Sequence, residues 1–221
     1  MTELPGGLFI TFEGTEGSGK TTQLERLIAR LEQAGCGVTR TVEPGGTEIG
    51  RQIRRILLDS KNSGLDARAE LLLYFASRAQ NVAELIRPAL AQGRVVVCDR
   101  FTDSTLVYQG AGRGLGRAAV EALHEIACGT LQPGLTIYLD IDLETGLARA
   151  FERNRAAGGP DESRMDNQAI EFHRRVREAY LSLAAREQTR FRVIDARGTA
   201  DDVASAVWNL VLAALEARRV R

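Results

Sequence analysis

An α/β fold, a parallel sheet of about five strands with helices on both faces, is the architecture this 221-residue chain predicts. Three observations carry the prediction. Short apolar runs alternate with longer stretches whose apolar residues recur every three or four positions. The run Val95-Val96-Val97-Cys98 is apolar without alternation, as suits a strand buried on both faces of a parallel sheet. The first run, residues 8–12, leads directly into a glycine-rich loop and then an amphipathic helix.

That loop, Glu13-Gly14-Thr15-Glu16-Gly17-Ser18-Gly19-Lys20-Thr21, fits G-x-x-x-x-G-K-[ST] and makes the fold the P-loop type of α/β sheet. Gly14, Gly17 and Gly19 let the backbone curl round a polyphosphate, so the N–H groups of the loop, those of Thr15, Glu16 and Ser18 included, can point at its oxygens. Lys20 supplies a point charge, Thr21 a hydroxyl for Mg²⁺, and the helix start its positive dipole end. A plain turn has no use for the Lys-Thr pair, so the loop reads as a nucleotide site. It leaves the acceptor open, because switches, motors, transporters and kinases share it.

Bulk composition narrows the classes. Lys plus Arg number 29 and Asp plus Glu number 29, whereas a duplex-binding protein carries a basic excess, so nucleic acid is a poor partner. Cys36, Cys98 and Cys128 lack paired metal spacing and read as reduced, buried thiols. No apolar run reaches the roughly 18 residues of a membrane span, and the first residues do not form a leader. A soluble cytoplasmic protein without a membrane partner is expected.

Taken in order, Leu24, Leu27, Ile28 and Leu31 mark the first helix, which Gly35 ends. Residues 38–43 read as the second strand, and Glu43-Pro44-Gly45-Gly46 as a turn at its carboxyl end, where open α/β sheets bind ligands. Residues 47–58 form a short amphipathic helix whose Arg51, Arg54 and Arg55 are most simply a solvated face. Residues 66–81 form another, with Leu71, Leu72, Tyr74 and Phe75 apolar; Phe75 and Arg78 share a side, by spacing alone a core aromatic and a surface arginine. Helix continues over residues 82–92 to Gly93. The next strand ends in Asp99-Arg100, either an ion pair or a metal-linked carboxylate beside a phosphate-gripping guanidinium; the loop favours the second.

Residues 103–109 look like a helix start capped by Asp103 or Ser104, followed by a glycine-broken loop at residues 110–116, mobile or tightly folded. Residues 118–128 are helical, with His124 read as structural, and residues 135–140 are a strand. A helix over residues 143–155 carries Arg149, Arg153 and Arg155 into Gly158-Gly159-Pro160 and on to Arg164, which suggests a flap closing positive charge over an anion, though a solvated helix uses the same residues. A helix at 168–186, a strand at 191–195 and a helix at 200–218 complete one domain over residues 1–221, with a lid segment at about residues 150–166.

With Glu43-Pro44-Gly45-Gly46-Thr47, Asp99-Arg100-Phe101 and Tyr108-Gln109-Gly110 in order and at the right spacing, the chain resembles the thymidylate kinases. The resemblance runs from residue 8 to the last helix. It implies transfer of a phosphoryl group from ATP to dTMP with Mg²⁺, small-molecule substrates, a cytoplasmic location and a homodimer. By resemblance, Gly14 to Lys20 hold ATP's phosphates with Arg149, and Thr21 holds Mg²⁺ with Asp99 beside it. Phe75 stacks on thymine and Arg78 bonds its O4, which reverses the reading from spacing. Arg54 and Arg100 hold the dTMP phosphate, Thr105 and Gln109 lie at the pyrimidine edge, Tyr108 disfavours a ribose 2′-OH, and Glu43 is near the acceptor. Lys20, Asp99, Arg100 and a lid arginine surround the transferring group; Arg149 and Arg153 match best, with Arg153 favoured and Arg155 and Arg164 as further candidates.

The chain departs from the family at Val42, where an arginine usually precedes the glutamate, and Gly17 stands where some relatives carry a loop arginine. The rivals are a kinase for dUMP or another small acceptor, and an ATPase or switch with no acceptor. No Asn-Lys-x-Asp sequence supports a GTPase.

Overall fold

The computed structural model describes residues 6–156 and 161–219, with the backbone alone for Arg153, Asn154, Ala156 and Arg219. Strands β1 (Leu8–Gly14), β2 (Val38–Val42), β3 (Val95–Asp99), β4 (Leu135–Asp140) and β5 (Phe191–Asp195) form a parallel sheet in the order β2-β3-β1-β4-β5. The helices are α1 (Lys20–Gln33), α2 (Glu48–Leu58), α3 (Ala67–Asn81), α4 (Arg87–Ala91), α5 (Thr102–Thr105), α6 (Arg117–Cys128), α7 (Leu143–Ala156), α8 (Ile170–Arg186) and α9 (Ala200–Arg219).

Side chains on β1 alternate between two covered faces. Leu8, Ile10 and Phe12 pack with Leu24, Leu27 and Leu31 of α1 and with Val203, Val207 and Val211 of α9. Phe9, on the opposite face, packs with Val82, Ile86, Val96 and Phe101. The same parity turns Thr11 and Glu13 to the second face, where Thr11 hydrogen-bonds Thr136 at 3.0 Å. Register then sets the site: Phe12 and Val42 both pair with Asp99, and Gly14 pairs with Leu139. The phosphate loop, the Asp99-Arg100 corner and Glu43 therefore leave three consecutive neighbours, β1, β3 and β2, at the same carboxyl edge of the sheet.

Local departures from the expected elements have identifiable causes. The segment between α3 and α4, Val82–Ile86, winds with the wider π turn, as does Leu106–Gly112, so the stretch at residues 110–116 is tightly folded where it begins. Asp103 is not a helix cap. It is buried and paired with Arg190 at 2.7 and 2.8 Å, and it also accepts from Thr136 at 2.9 Å. Ser104 does not cap either, since α5 has no side-chain cap. His124 is structural as expected, its ring nitrogens 2.8 Å from Thr102 Oγ1 and 3.1 Å from Gln132 Nε2. The three cysteines are free and buried.

Candidate active site

A cleft of about 660 Å³ opens at this edge of the sheet, lined at one end by residues 16–22 and at the other by Tyr74, Arg78, Thr105 and Gln109. Helix α1 starts without a side-chain cap, its N-terminal flank Gly19 in the left-handed region at φ 87°. Its first N–H groups are thus not claimed by a capping side chain and form an anion site with the dipole behind them. Lys20 Nζ donates to the carbonyls of Gly14 at 3.0 Å and Thr15 at 2.9 Å, which holds it across the loop. Burial, with Arg100 adding, lowers the Lys20 ammonium to about 8. Gly17 has φ 67°, and a Cβ there would lie 2.0 Å from the carbonyl oxygen of Gly146 on α7. The loop and α7 are in backbone contact, and a side chain at position 17 would collide with that helix.

The Asp99-Arg100 corner is set by strain and by a buried network. Arg100 adopts φ 69°, which costs a non-glycine residue about 1–2 kcal/mol. Its N–H donates to Phe12 O at 2.9 Å, its guanidinium donates to Ser104 Oγ at 3.1 Å, and it lies 4.9 Å from the Tyr108 ring centre. Behind it, Glu13 accepts from the Phe101 N–H at 2.9 Å, Ser104 at 2.5 Å and Tyr180 at 2.7 Å. Burial, with Asp103 adding, pushes Glu13 up to about 7. Glu16 accepts from Tyr108 OH at 2.8 Å and lies 3.4 Å from Arg100 and 3.5 Å from His173. Burial raises this carboxyl, but His173, Arg100 and Lys20 outweigh it and hold it at about 2. Asp99 lines the cleft, and its buried Oδ1 has no hydrogen-bond partner among the described residues.

At the far end Arg78 is only 1% exposed. It donates to Glu43 at 2.5 Å and to Thr105 Oγ1 at 2.9 Å, while its buried Nη1 has no hydrogen-bond partner among the described residues. Burial works against its charge but Glu43 prevails, so the guanidinium stays above its ordinary range. Asn81 completes the Glu43 carboxylate at 3.0 Å. Arg54 faces the cleft rather than open solvent: it makes a bidentate pair with Glu162 at 2.8 and 2.6 Å and donates to Pro44 O at 2.9 Å.

Two expectations are corrected. Phe75 is buried with Leu71 and Val120, with the Arg78 guanidinium over its ring at 4.7 Å, and it does not line the cleft. Tyr74, one position earlier, does line it. Arg164 is not a lid arginine free to reach a phosphoryl group. It is 3% exposed, pinned to the Leu57 carbonyl and to Glu70 at 2.7 Å. Arg149 lines the phosphate end and Arg155 is exposed away from the lining. The side chain of Arg153 and the hinge residues Gly158, Gly159 and Pro160 lie outside the described residues. Thr21, Glu43, Thr105, Tyr108 and Gln109 all line the cleft. Glu13, Ser104, Tyr180, Glu70 and Glu162 emerge only from the structure; strand parity at Glu13 was the one local signal.

The thymidylate kinase family model matches residues 12–207. The thymidylate kinase of Solidesulfovibrio magneticus is 56% identical over 205 residues, 92% of this chain and 98% of the relative. That of Geobacter sulfurreducens is 52% identical over 206 residues, covering 93% and 97%. The crystal structure of thymidylate kinase from Ehrlichia chaffeensis superposes with a TM-score of 0.75 at 32% identity, covering 94% of this chain and 99% of that one. A cleft that joins a phosphate loop to a buried guanidinium thus sits within a framework shared along nearly the whole sequence, and the chain belongs to the thymidylate kinase family of nucleoside monophosphate kinases.

Proposed function

We infer that this cleft transfers the γ-phosphoryl group of ATP to the 5′-phosphate of dTMP, giving dTDP and ADP. The observation that carries the reading is Arg78, a residue lining the cleft whose buried Nη1 has no hydrogen-bond partner among the described residues. An orphaned guanidinium donor costs stability unless a ligand acceptor reaches it, and the O4 carbonyl of thymine is such an acceptor. Tyr74, rather than Phe75, stacks on the base. Tyr108, its hydroxyl held by Glu16, crowds the sugar where a ribose 2′-OH would stand.

An acceptor phosphate oxygen attacks in line and the bond to the β-phosphate oxygen breaks, so the site must position two anions and neutralise charge. Lys20 and the loop N–H groups hold the donor. Arg100 reaches between donor and acceptor from its strained corner, and Arg54 takes the acceptor phosphate. The acceptor is already an anion, and no general base is required. Gly17 leaves no room for a loop arginine, so Arg149, the α7 arginine that lines the cleft, supplies positive charge beside the loop.

Mg²⁺ fits these residues: Asp99, whose buried Oδ1 has no hydrogen-bond partner among the described residues, and Thr21, which carries a hydroxyl, both line the cleft. No cluster of three His, Cys, Asp or Glu that could hold a metal alone is present among the described residues, which suits an ion that arrives on nucleotide phosphates. Bound there, it would neutralise charge on the β and γ oxygens.

One domain with a lid at about residues 150–166, acting in the cytoplasm, is part of the same reading. No described helix is long and apolar enough to cross a membrane. A homodimer is supported by Leu72 on α3 at 56% exposure and Ile126 on α6 at 82%, apolar side chains on two helices packed together. ADP release from ATP and Mg²⁺ with dTMP, dUMP, dCMP or no acceptor tests the assignment. Turnover greatest with dTMP supports it, and equal release without an acceptor refutes it.

A further inference from the structure

Glu70 is a fully buried carboxylate on α3 that the transfer chemistry does not use. Its Oε1 accepts from Gln109 Nε2 at 2.7 Å and from Arg113 Nε at 3.2 Å. Its Oε2 accepts from Arg113 Nη2 at 3.1 Å and from Arg164 Nη1 at 2.7 Å. Burial raises this carboxyl, but Arg113, Gln109 and Arg164 prevail and hold it below the ordinary range. An ionised carboxylate only accepts hydrogen bonds, so the Gln109 atom facing it must be the NH₂ and never the carbonyl oxygen. The glutamine amide is therefore oriented by chemistry, and its Oε1 has no hydrogen bond among the described residues. Gln109 lines the cleft with Arg78, whose Nη1 donor has no hydrogen-bond partner among the described residues.

We propose that Glu70 is a positioning residue for base selection, which by fixing the Gln109 amide turns an acceptor toward the cleft and makes the site take a pyrimidine with an N–H donor beside a carbonyl. Thymine and uracil offer that pair at N3 and O4. Cytosine offers the reverse, a bare N3 and an exocyclic amine, so Gln109 Oε1 would face a lone pair and Arg78 an N–H. This inference rests on the reading of the cleft as a dTMP site and adds how its polarity is set. Two arginines already neutralise Glu70, so the Gln109 bond is what links the carboxylate to specificity rather than to anchoring alone.

The test compares kcat/KM for dTMP and dCMP, with ATP as donor, in the wild type, Glu70→Gln, Gln109→Leu and the double variant. A glutamine at position 70 offers both an N–H and a carbonyl, so no orientation of Gln109 is enforced. The preference for dTMP over dCMP should fall on the order of 10-fold or more in Glu70→Gln and as far in Gln109→Leu, with no further fall in the double variant and an unchanged KM for ATP. A Glu70→Gln enzyme with normal ATP KM and an intact preference overturns the proposal, as do additive effects. Should Glu70→Gln fail to fold, Gln109→Leu decides, because it leaves Arg113 and Arg164 on Glu70; a retained preference overturns the polarity argument. A wild type that does not prefer dTMP over dCMP overturns the acceptor assignment itself, a failure distinct from loss of the Glu70 role alone.

Discussion

Glu162 occupies the Arg54 guanidinium, the group we propose for the acceptor phosphate. Its two carboxylate oxygens take Arg54 Nε at 2.8 Å and Nη2 at 2.6 Å, leaving Nη1 on the Pro44 carbonyl. A phosphate can use Arg54 only after this pair opens. The side chains are 28% and 39% exposed, so solvent screens them and the pair is worth about 0.5–1 kcal/mol, near the top of the surface range because it is bidentate. Glu162→Gln removes the competing charge, and the dTMP KM should fall by about 2- to 5-fold, with kcat and the ATP KM unchanged. Initial rates at saturating ATP across a dTMP titration measure it, and added salt should shrink the gap between variant and wild type. A raised dTMP KM would mean that Glu162 helps to close the site, and an unchanged one that Arg54 does not meet the phosphate; either result refutes the competition.

The remaining expectations concern the two ends of the cleft and its buried acid. Lys20→Ala should lose about 2–4 kcal/mol of transition-state stabilisation, read as kcat/KM, while thermal stability holds; near-normal turnover would remove Lys20 from the transfer step. Tyr74→Ala should weaken dTMP by about 1–3 kcal/mol of stacking in a binding titration, whereas Phe75→Ala should cost about 3–5 kcal/mol of folding stability, and the reverse pattern would restore Phe75 to the base. Glu16 is held at about 2 against an ordinary 4.5, so its contribution to stability is complete above pH 4.5 and is lost as pH falls from there toward 2. Melting temperatures of Glu16→Gln should accordingly fall less steeply over that acid window than those of the wild type, and parallel curves would contradict the assignment.

Sequence pattern reached the sheet and the phosphate loop because their signals are local. Strands announce themselves as apolar runs, and the loop is nine consecutive residues whose types serve one geometry. The acceptor end was less legible. Tyr74 and Phe75 are adjacent on one helix, and both lie on the side of Arg78, at four and three residues; only packing against Leu71 and Val120 sends Phe75 inward. Asp103 looked like a helix cap because its partner, Arg190, is far along the chain. Arg164 read as a lid arginine for the same reason, its fate decided by Glu70 on α3. The π turns at Val82–Ile86 and Leu106–Gly112 each add a residue to a helical turn, which a period of three or four does not register, and the second carries Tyr108 and Gln109.

The most direct test of the central claim follows the labelled γ-phosphorus of ATP. With purified protein, Mg²⁺ and dTMP, the label should appear in dTDP, with little inorganic phosphate, and it should stay on ATP when dTMP is withheld. Label released as inorganic phosphate at the same rate with or without dTMP would contradict a phosphoryl-transfer site and leave an ATPase in its place.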